Sequence, residues 1–222
     1  VKKTLILLLL CASGLIVKAQ SSVKTEQIAA IGNLQLESGK QIDDCHIGYQ
    51  TYGKLNTHKS NAILFPTWFL ANARQLATTV RPWLFIDTNR YCLIIADALG
   101  NGISSSPSNS ITQHGPLFPA VTIIDMVNAH HQLLVKSMGI SHLKAVIGTS
   151  MGAFQAYQWA VSYPGFMNNI IAVFGSPQLN SYDIIRHSMI IAAIDECPAF
   201  NHGNYTVDPS IPLAQSLFTL ST

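Results

Sequence analysis

Apolar residues along this chain fall into two kinds of stretch, and the kinds alternate. Residues 62–65 and 91–96 are short continuous apolar runs, the pattern of strands buried on both faces, and 143–147 and 170–174 are expected to be further strands. Residues 44–52 instead alternate apolar and polar, as a half-buried strand does. Thr122-Ile123-Ile124-Asp125 is a capping box that opens a helix running to about Met138, and residues 152–163 form a second helix stopped by Pro164. Gly, Ser, Asn and Pro crowd residues 99–116, which predicts a loop. Strands alternating with helices predict an α/β fold, a mostly parallel sheet with helices on both faces. Residues 20–33 read as a loose lead-in, and no internal repeat is visible. After Pro177 the rhythm breaks, because 182–194 and 211–220 look helical with no strand between them, as in an inserted lid. The expected organisation is a core over 20–180 and the beginning of a helical lid over 181–222.

Residues 1–19 are set apart. Lys2 and Lys3 precede an unbroken apolar stretch over 5–11, and Val17-Lys18-Ala19 has the spacing a signal peptidase reads. The expectation is a secretory signal peptide, cleaved so that Gln20 begins a periplasmic or secreted protein. A membrane anchor or a buried helix is the alternative, although the run falls short of the about 20 apolar residues of a comfortable span. Leu10 stands before Cys11 where a lipobox wants a small residue, which argues against lipidation.

Composition narrows the classes further. At 222 residues, 48% hydrophobic and 11% charged, the chain can bury a sizeable core and is not a disordered segment. Loss of Lys2, Lys3 and Lys18 with the signal takes the formal charge of +2 down by three, to about −1. Nothing there draws nucleic acid, or a membrane surface once the signal is gone. Of four cysteines, Cys11 leaves with the signal, and Cys45, Cys92 and Cys197 remain. An odd number without C-x-x-C spacing gives neither a zinc site nor a disulfide framework, though one bridge stays open. No metal and no cofactor are expected. Cys92, inside an apolar run, is expected to be a buried small hydrophobe.

The candidate chemistry sits at Gly148-Thr149-Ser150-Met151-Gly152, directly after a buried strand and directly before a helix. In a nucleophile elbow the serine occupies a strained turn, so the residues two positions away on either side must lack bulk; both are glycine. Ser150 is therefore the candidate nucleophile. The helix that follows aims unpaired N–H groups at the same place, and the Met151 N–H is the first candidate oxyanion donor. A second should come from the loop after the earlier strand, Phe65-Pro66-Thr67-Trp68-Phe69, with the Phe69 N–H chosen and Trp68 as the alternative. The competing interpretation is a glycine-rich turn that only lets the helix pack closely on the sheet. His130-His131 lies on the capped helix, where adjacent residues point about 100° apart and suit a shared metal poorly. A solvated face is expected for that pair.

Longer stretches carry a family resemblance. Residues 48–56 (Gly-Tyr-Gln-Thr-Tyr-Gly-Lys-Leu-Asn), Asp87-Thr88-Asn89-Arg90-Tyr91 with Leu99-Gly100, residues 118–127, and the elbow with its helix over 147–164 resemble, in order, the homoserine O-acetyltransferase family. That resemblance implies the α/β-hydrolase fold and a triad in the order Ser, then Asp or Glu, then His. Three departures bear on the acceptor. Residues 101–109 replace the family's Gly/Cys/Thr-rich loop, and Leu213-Ala214-Gln215 stands where the family has L-A-R. Exchanging the guanidinium for the Gln215 amide loses a charge-assisted bond to a substrate carboxylate, about 1.5–3 kcal/mol, unless Arg186 substitutes. The third departure is export, which separates the protein from cytosolic acetyl-CoA and homoserine. Trp68 and Gln215 are expected to line the substrate site. After Ser150 the candidate triad partners are Asp183, Asp195, Glu196, Asp208, His187 and His202, but both histidines fall in lid sequence. The base is expected to lie beyond a chain that is itself a piece of a longer one. The resulting expectation is an exported serine ester hydrolase acting on a small acyl ester, with a homodimer left open. An acetyl-CoA-dependent homoserine O-acetyltransferase and a catalytically dead binding remnant are the alternatives.

Overall fold

The computed structural model describes residues 24–219, so the expected signal peptide lies outside the described residues. Six strands form one sheet in the order β1-β2-β4-β3-β5-β6. They are β1 (Gln27–Gln35), β2 (Gln41–Tyr52), β3 (Ala62–Pro66), β4 (Cys92–Ala96), β5 (Ala145–Thr149) and β6 (Ile170–Val173). β1 and β2 are antiparallel to their neighbours, and β4, β3, β5 and β6 run parallel. Helices α1 (Ala73–Val80), α2 (Ile123–Gln132) and α3 (Met151–Ser162) connect them, and α4 (Ser181–Asp195) and α5 (Pro212–Thr219) follow.

Consecutive residues of the apolar runs point to opposite faces. Leu64 and Ile94 pack with Val127, Leu133, Val146 and Trp159, on the side covered by α2 and α3. Ile63, Phe65, Leu93 and Ile95 pack with Ala73, Leu76 and Ala77 of α1 on the other side. This is why those strands read as unbroken hydrophobic segments. Cys92 is buried as expected, and Cys45, Cys92 and Cys197 are all free. The strand order also reverses. From β3 the chain moves to β4 on one side, whereas β5 and β6 lie on the other, so the carboxyl ends of β3 and β5 flank a switch point where such sheets bind ligands.

Several expectations are corrected. The loose lead-in over 20–33 contains β1, which starts at Gln27. Its buried positions, Ile31 and Leu34, are three apart because bulges at Gly32 shift the register, and the period-two signal is lost. Helix α1 was not foreseen; it is capped by Asn72 and Gln75 in a reciprocal box and buries only Ala73, Leu76 and Ala77. The solvated face expected for His130-His131 is wrong at both residues. His130 is 0% exposed and bonds to the Asp97 carbonyl, while His131 stacks on Tyr163 with ring centroids 4.0 Å apart. The same helix continues to Ser137, but its last turn is a π-helix over Leu133–Ser137. Helices do cover both faces of the central strands, as expected, and at β6 Ile171 and Val173 are 48% and 40% exposed among the described residues.

Candidate active site

β5 ends at Thr149 and α3 starts at Met151, so Ser150 alone makes the turn. It adopts φ 53°, ψ −124°, a conformation that costs a non-glycine residue about 1–3 kcal/mol, and its side chain is exposed. The surroundings over-determine this geometry. Ser150 N donates to Val173 O at 3.0 Å, and Ser150 O accepts from Ala153 N at 2.8 Å. A Cβ on Gly148 would lie 1.9 Å from Gly152 O, and one on Gly152 would lie 2.7 Å from Pro66 O. These two glycines let the helix start fold back on the strand and press against the end of β3. Gly175, after β6, closes the third side, since a Cβ there would meet Ala153 Cβ at 2.5 Å and Ser150 O at 3.2 Å. Phe174 beside it is 89% exposed, an aromatic at the elbow that its place in an apolar run had disguised as strand.

The loop after β3 is fastened at its first residue. Thr67 N donates to Ala96 O, Ala98 N to Thr67 Oγ1, and the Gln155 amide to Thr67 O, each at 3.0 Å. Gln155 is fully buried on α3, so one side chain ties the helix that begins beside Ser150 to the facing loop. Beyond Thr67 the chain turns through Leu70 at φ 63° and enters α1. Neither the Phe69 N–H nor the Met151 N–H makes a hydrogen bond among the described residues. Both belong to segments that meet where Gly152 touches Pro66. The Phe69 ring is 49% exposed and lies 6.2 Å from that of Phe218 on α5, and Trp68 is half-buried against the α1 side of the core. Gln215 is exposed, and its side chain has no hydrogen bond among the described residues.

Below the loop sits a buried polar group that sequence reasoning did not single out. Asp97 directly follows β4 and is 0% exposed. Its Oδ1 accepts from Ala73 N and Asn101 Nδ2, both at 2.7 Å. Burial, and then the neighbouring Glu26 carboxyl, push its acid constant up to about 8. His130 Nε2 lies 2.9 Å from Asp97 O, and because a carbonyl only accepts, the ring proton is on Nε2. Burial lowers the His130 constant to about 4, so the ring is neutral. No signal in one sequence pairs Gln155 with Thr67 or Asp97 with Glu26, because these partners are remote along the chain. The two candidate bases are elsewhere. His187 Nδ1 lies 2.7 Å from Asp183 O within α4. His202 is exposed and lines a cavity of about 380 Å³ with Pro107, His114, Tyr205 and Asp208, whose lining does not include Ser150.

Comparison with known proteins agrees with this geometry. The model of the alpha/beta hydrolase fold matches residues 71–212. The chain is similar to an ethyl acetate hydrolase of Pseudomonas veronii, 39% identical over 181 residues, covering 81% of this chain and 52% of the relative. It is also similar to a homoserine O-acetyltransferase of Methanohalophilus mahii, 37% identical, covering 77% and 39% of the two chains. The solved structure of an acetylester hydrolase from Corynebacterium glutamicum superposes with a TM-score of 0.82 at 33% identity, covering 89% of this chain and 59% of that one. The chain thus spans about half the length of the curated relatives it matches.

Proposed function

This chain belongs to the alpha/beta hydrolase fold family, and from that premise we propose that it is the nucleophile-bearing part of an exported serine ester hydrolase acting on small acyl esters. The observation that carries the reading is Ser150 itself, an exposed serine held at φ 53° on a strand-to-helix turn, and among the described residues the Met151 and Phe69 N–H groups make no hydrogen bond. Ser150 Oγ attacks the ester carbonyl, and the Met151 and Phe69 N–H groups receive the oxyanion. The alcohol leaves with a proton, and water then hydrolyses the acyl-enzyme. The histidine that moves these protons, and the carboxylate behind it, are assigned to the part of the relatives' length that these residues do not cover. His187 is engaged inside α4 and His202 lines a different cavity, which argues against either as the base.

Water is favoured over homoserine as the acyl acceptor. Gln215 brings a neutral amide where the acetyltransferase family has a guanidinium. Asn101, in the loop that departs from that family, is committed to Asp97 and Ala71. Trp68, Phe69 and Phe174 offer apolar surface for a short acyl group. The test is turnover of short-chain esters by the intact protein and by Ser150→Ala, with and without homoserine and acetyl-CoA. Ser150-dependent hydrolysis that homoserine leaves unchanged is expected. Rapid acetyl transfer from acetyl-CoA to homoserine overturns the hydrolase assignment, and turnover that survives Ser150→Ala overturns the nucleophile.

A further inference from the structure

We propose that Asp97 and Glu26 share one proton, and that the pair in this form positions the loop over 67–73; the catalytic side of this rests on reading that loop as the oxyanion loop of an ester hydrolase. Asp97 Oδ1 accepts one donor from the far end of that loop and one from the 101–109 loop. It takes the Ala73 N–H and the Asn101 amide, and the same amide nitrogen reaches Ala71 O at 3.2 Å. Oδ2 of Asp97 has no donor among the described residues, and neither has Oε1 of Glu26, although both atoms are buried. The two carboxyl groups stand within hydrogen-bonding reach of each other. Two ionised carboxylates cannot rest against each other in a dry interior without a donor between them. A single proton satisfies both oxygens at once. Gly48 leaves the space for this contact, since a Cβ there would lie 2.7 Å from Asp97 Oδ2.

Among the described residues, the other elements around Asp97 bring no competing charge to its carboxyl group. From α2, neutral His130 donates to the Asp97 backbone carbonyl. From β2, Tyr52 lies beside Glu26, with Lys24 Nζ 5.4 Å from its ring centroid. The 101–109 loop contributes the Asn101 amide to the carboxyl and the Ser104 hydroxyl to the carbonyl, and α1 contributes the Ala73 N–H. The raised acid constant of Asp97, with burial first and Glu26 second among its causes, accords with the shared proton. When the pair loses that proton to solvent in alkali, two anions face each other and the clamp on residues 71–73 opens.

Amide hydrogen exchange of the intact protein tests this, read on the peptide covering 67–73 and corrected for intrinsic rates. In the wild type, protection there should fall about tenfold or more between about pH 6 and pH 9, relative to the β5 peptide. Asp97→Asn and Glu26→Gln each place an amide N–H where the proton was, and both should hold protection constant over that range. Asp97→Ala should lose it at both pH values. In ester hydrolysis the wild-type kcat should carry a falling alkaline limb, with KM nearly constant, and Asp97→Asn should lack that limb. Protection in the wild type that ignores pH, or Asp97→Asn behaving like Asp97→Ala, overturns the shared proton. Protection that follows expectation while kcat does not overturns the positioning role. Turnover unaffected by Ser150→Ala sinks the ester-hydrolase reading alone, because the exchange measurement still decides the pair.

Discussion

Replacing Gly148 by alanine is the most direct challenge to the elbow. The added Cβ would lie 1.9 Å from Gly152 O, 2.2 Å from Gly152 C and 2.7 Å from Ala153 N, all of them backbone atoms. The first of these falls about 1.5 Å short of ordinary carbon contact, and no flexible side chain can yield. The helix start cannot simply retreat, because Gly152 already presses on Pro66 O and Gly175 on Ala153. Overpacking of this kind costs about 1–3 kcal/mol, and parting Ser150 O from Ala153 N forfeits about 1 more. The expected loss is about 2–4 kcal/mol, a large share of a typical 5–15 kcal/mol stability. Displacing Ser150 by about 1 Å should also lower turnover about 100-fold. Gly165→Ala is the matched control, since a Cβ there meets nothing within 4 Å, and it should shift stability by less than about 0.5 kcal/mol. Urea unfolding followed by tryptophan fluorescence, with ester turnover alongside, reads both effects. A Gly148→Ala protein as stable and active as Gly165→Ala would refute the steric account.

Gln155→Leu removes the donor to Thr67 O but also the buried Oε1 that has no partner, so stability should change by less than about 2 kcal/mol. Its kcat should nonetheless fall about tenfold or more with KM little changed, as steady-state kinetics will show, because the loop is no longer tied to the helix that follows Ser150. His130 has its constant depressed below the unfolded value, so its contribution is present above about pH 6.5 and is lost as pH falls toward about 4. Denaturant midpoints across that window should drop in the wild type and flatten in His130→Gln, which keeps an N–H for Asp97 O and cannot ionise. Amino-terminal sequencing of protein recovered outside the cytoplasm should begin at Gln20, and an intact Val1 in cytosolic material would remove the compartment argument against acetyl-CoA.

What could be read from the sequence was whatever local sterics dictate. Gly148 and Gly152 announce a forced turn at Ser150, and the runs around Leu64 and Ile94 announce strands with no wet face. The polar interior was hidden for the opposite reason. Gln155 lies 88 residues from Thr67, and His130 lies 33 from Asp97. Such pairs exist only once the sheet brings β3, β4 and the helices together. His130 and His131 were misjudged because polarity was equated with solvent. In the fold, one histidine satisfies a buried carbonyl and the other supplies a flat ring to an aromatic cluster with Trp159 and Tyr163. β1 escaped notice because a bulge breaks the alternation on which strand recognition depends.

Helix α4 has no buried residue, and α5 buries only Ala214. Among the described residues, side chains along these two helices therefore touch little of the core, whereas at the elbow a methyl group on Gly148 would overlap the Gly152 backbone. The two regions accordingly face different selection. Drift over 181–219 meets few packed neighbours among the described residues, while the turn at Ser150 has almost no room for change. In a lineage built this way the backbone of the elbow outlasts many changes on the two helices.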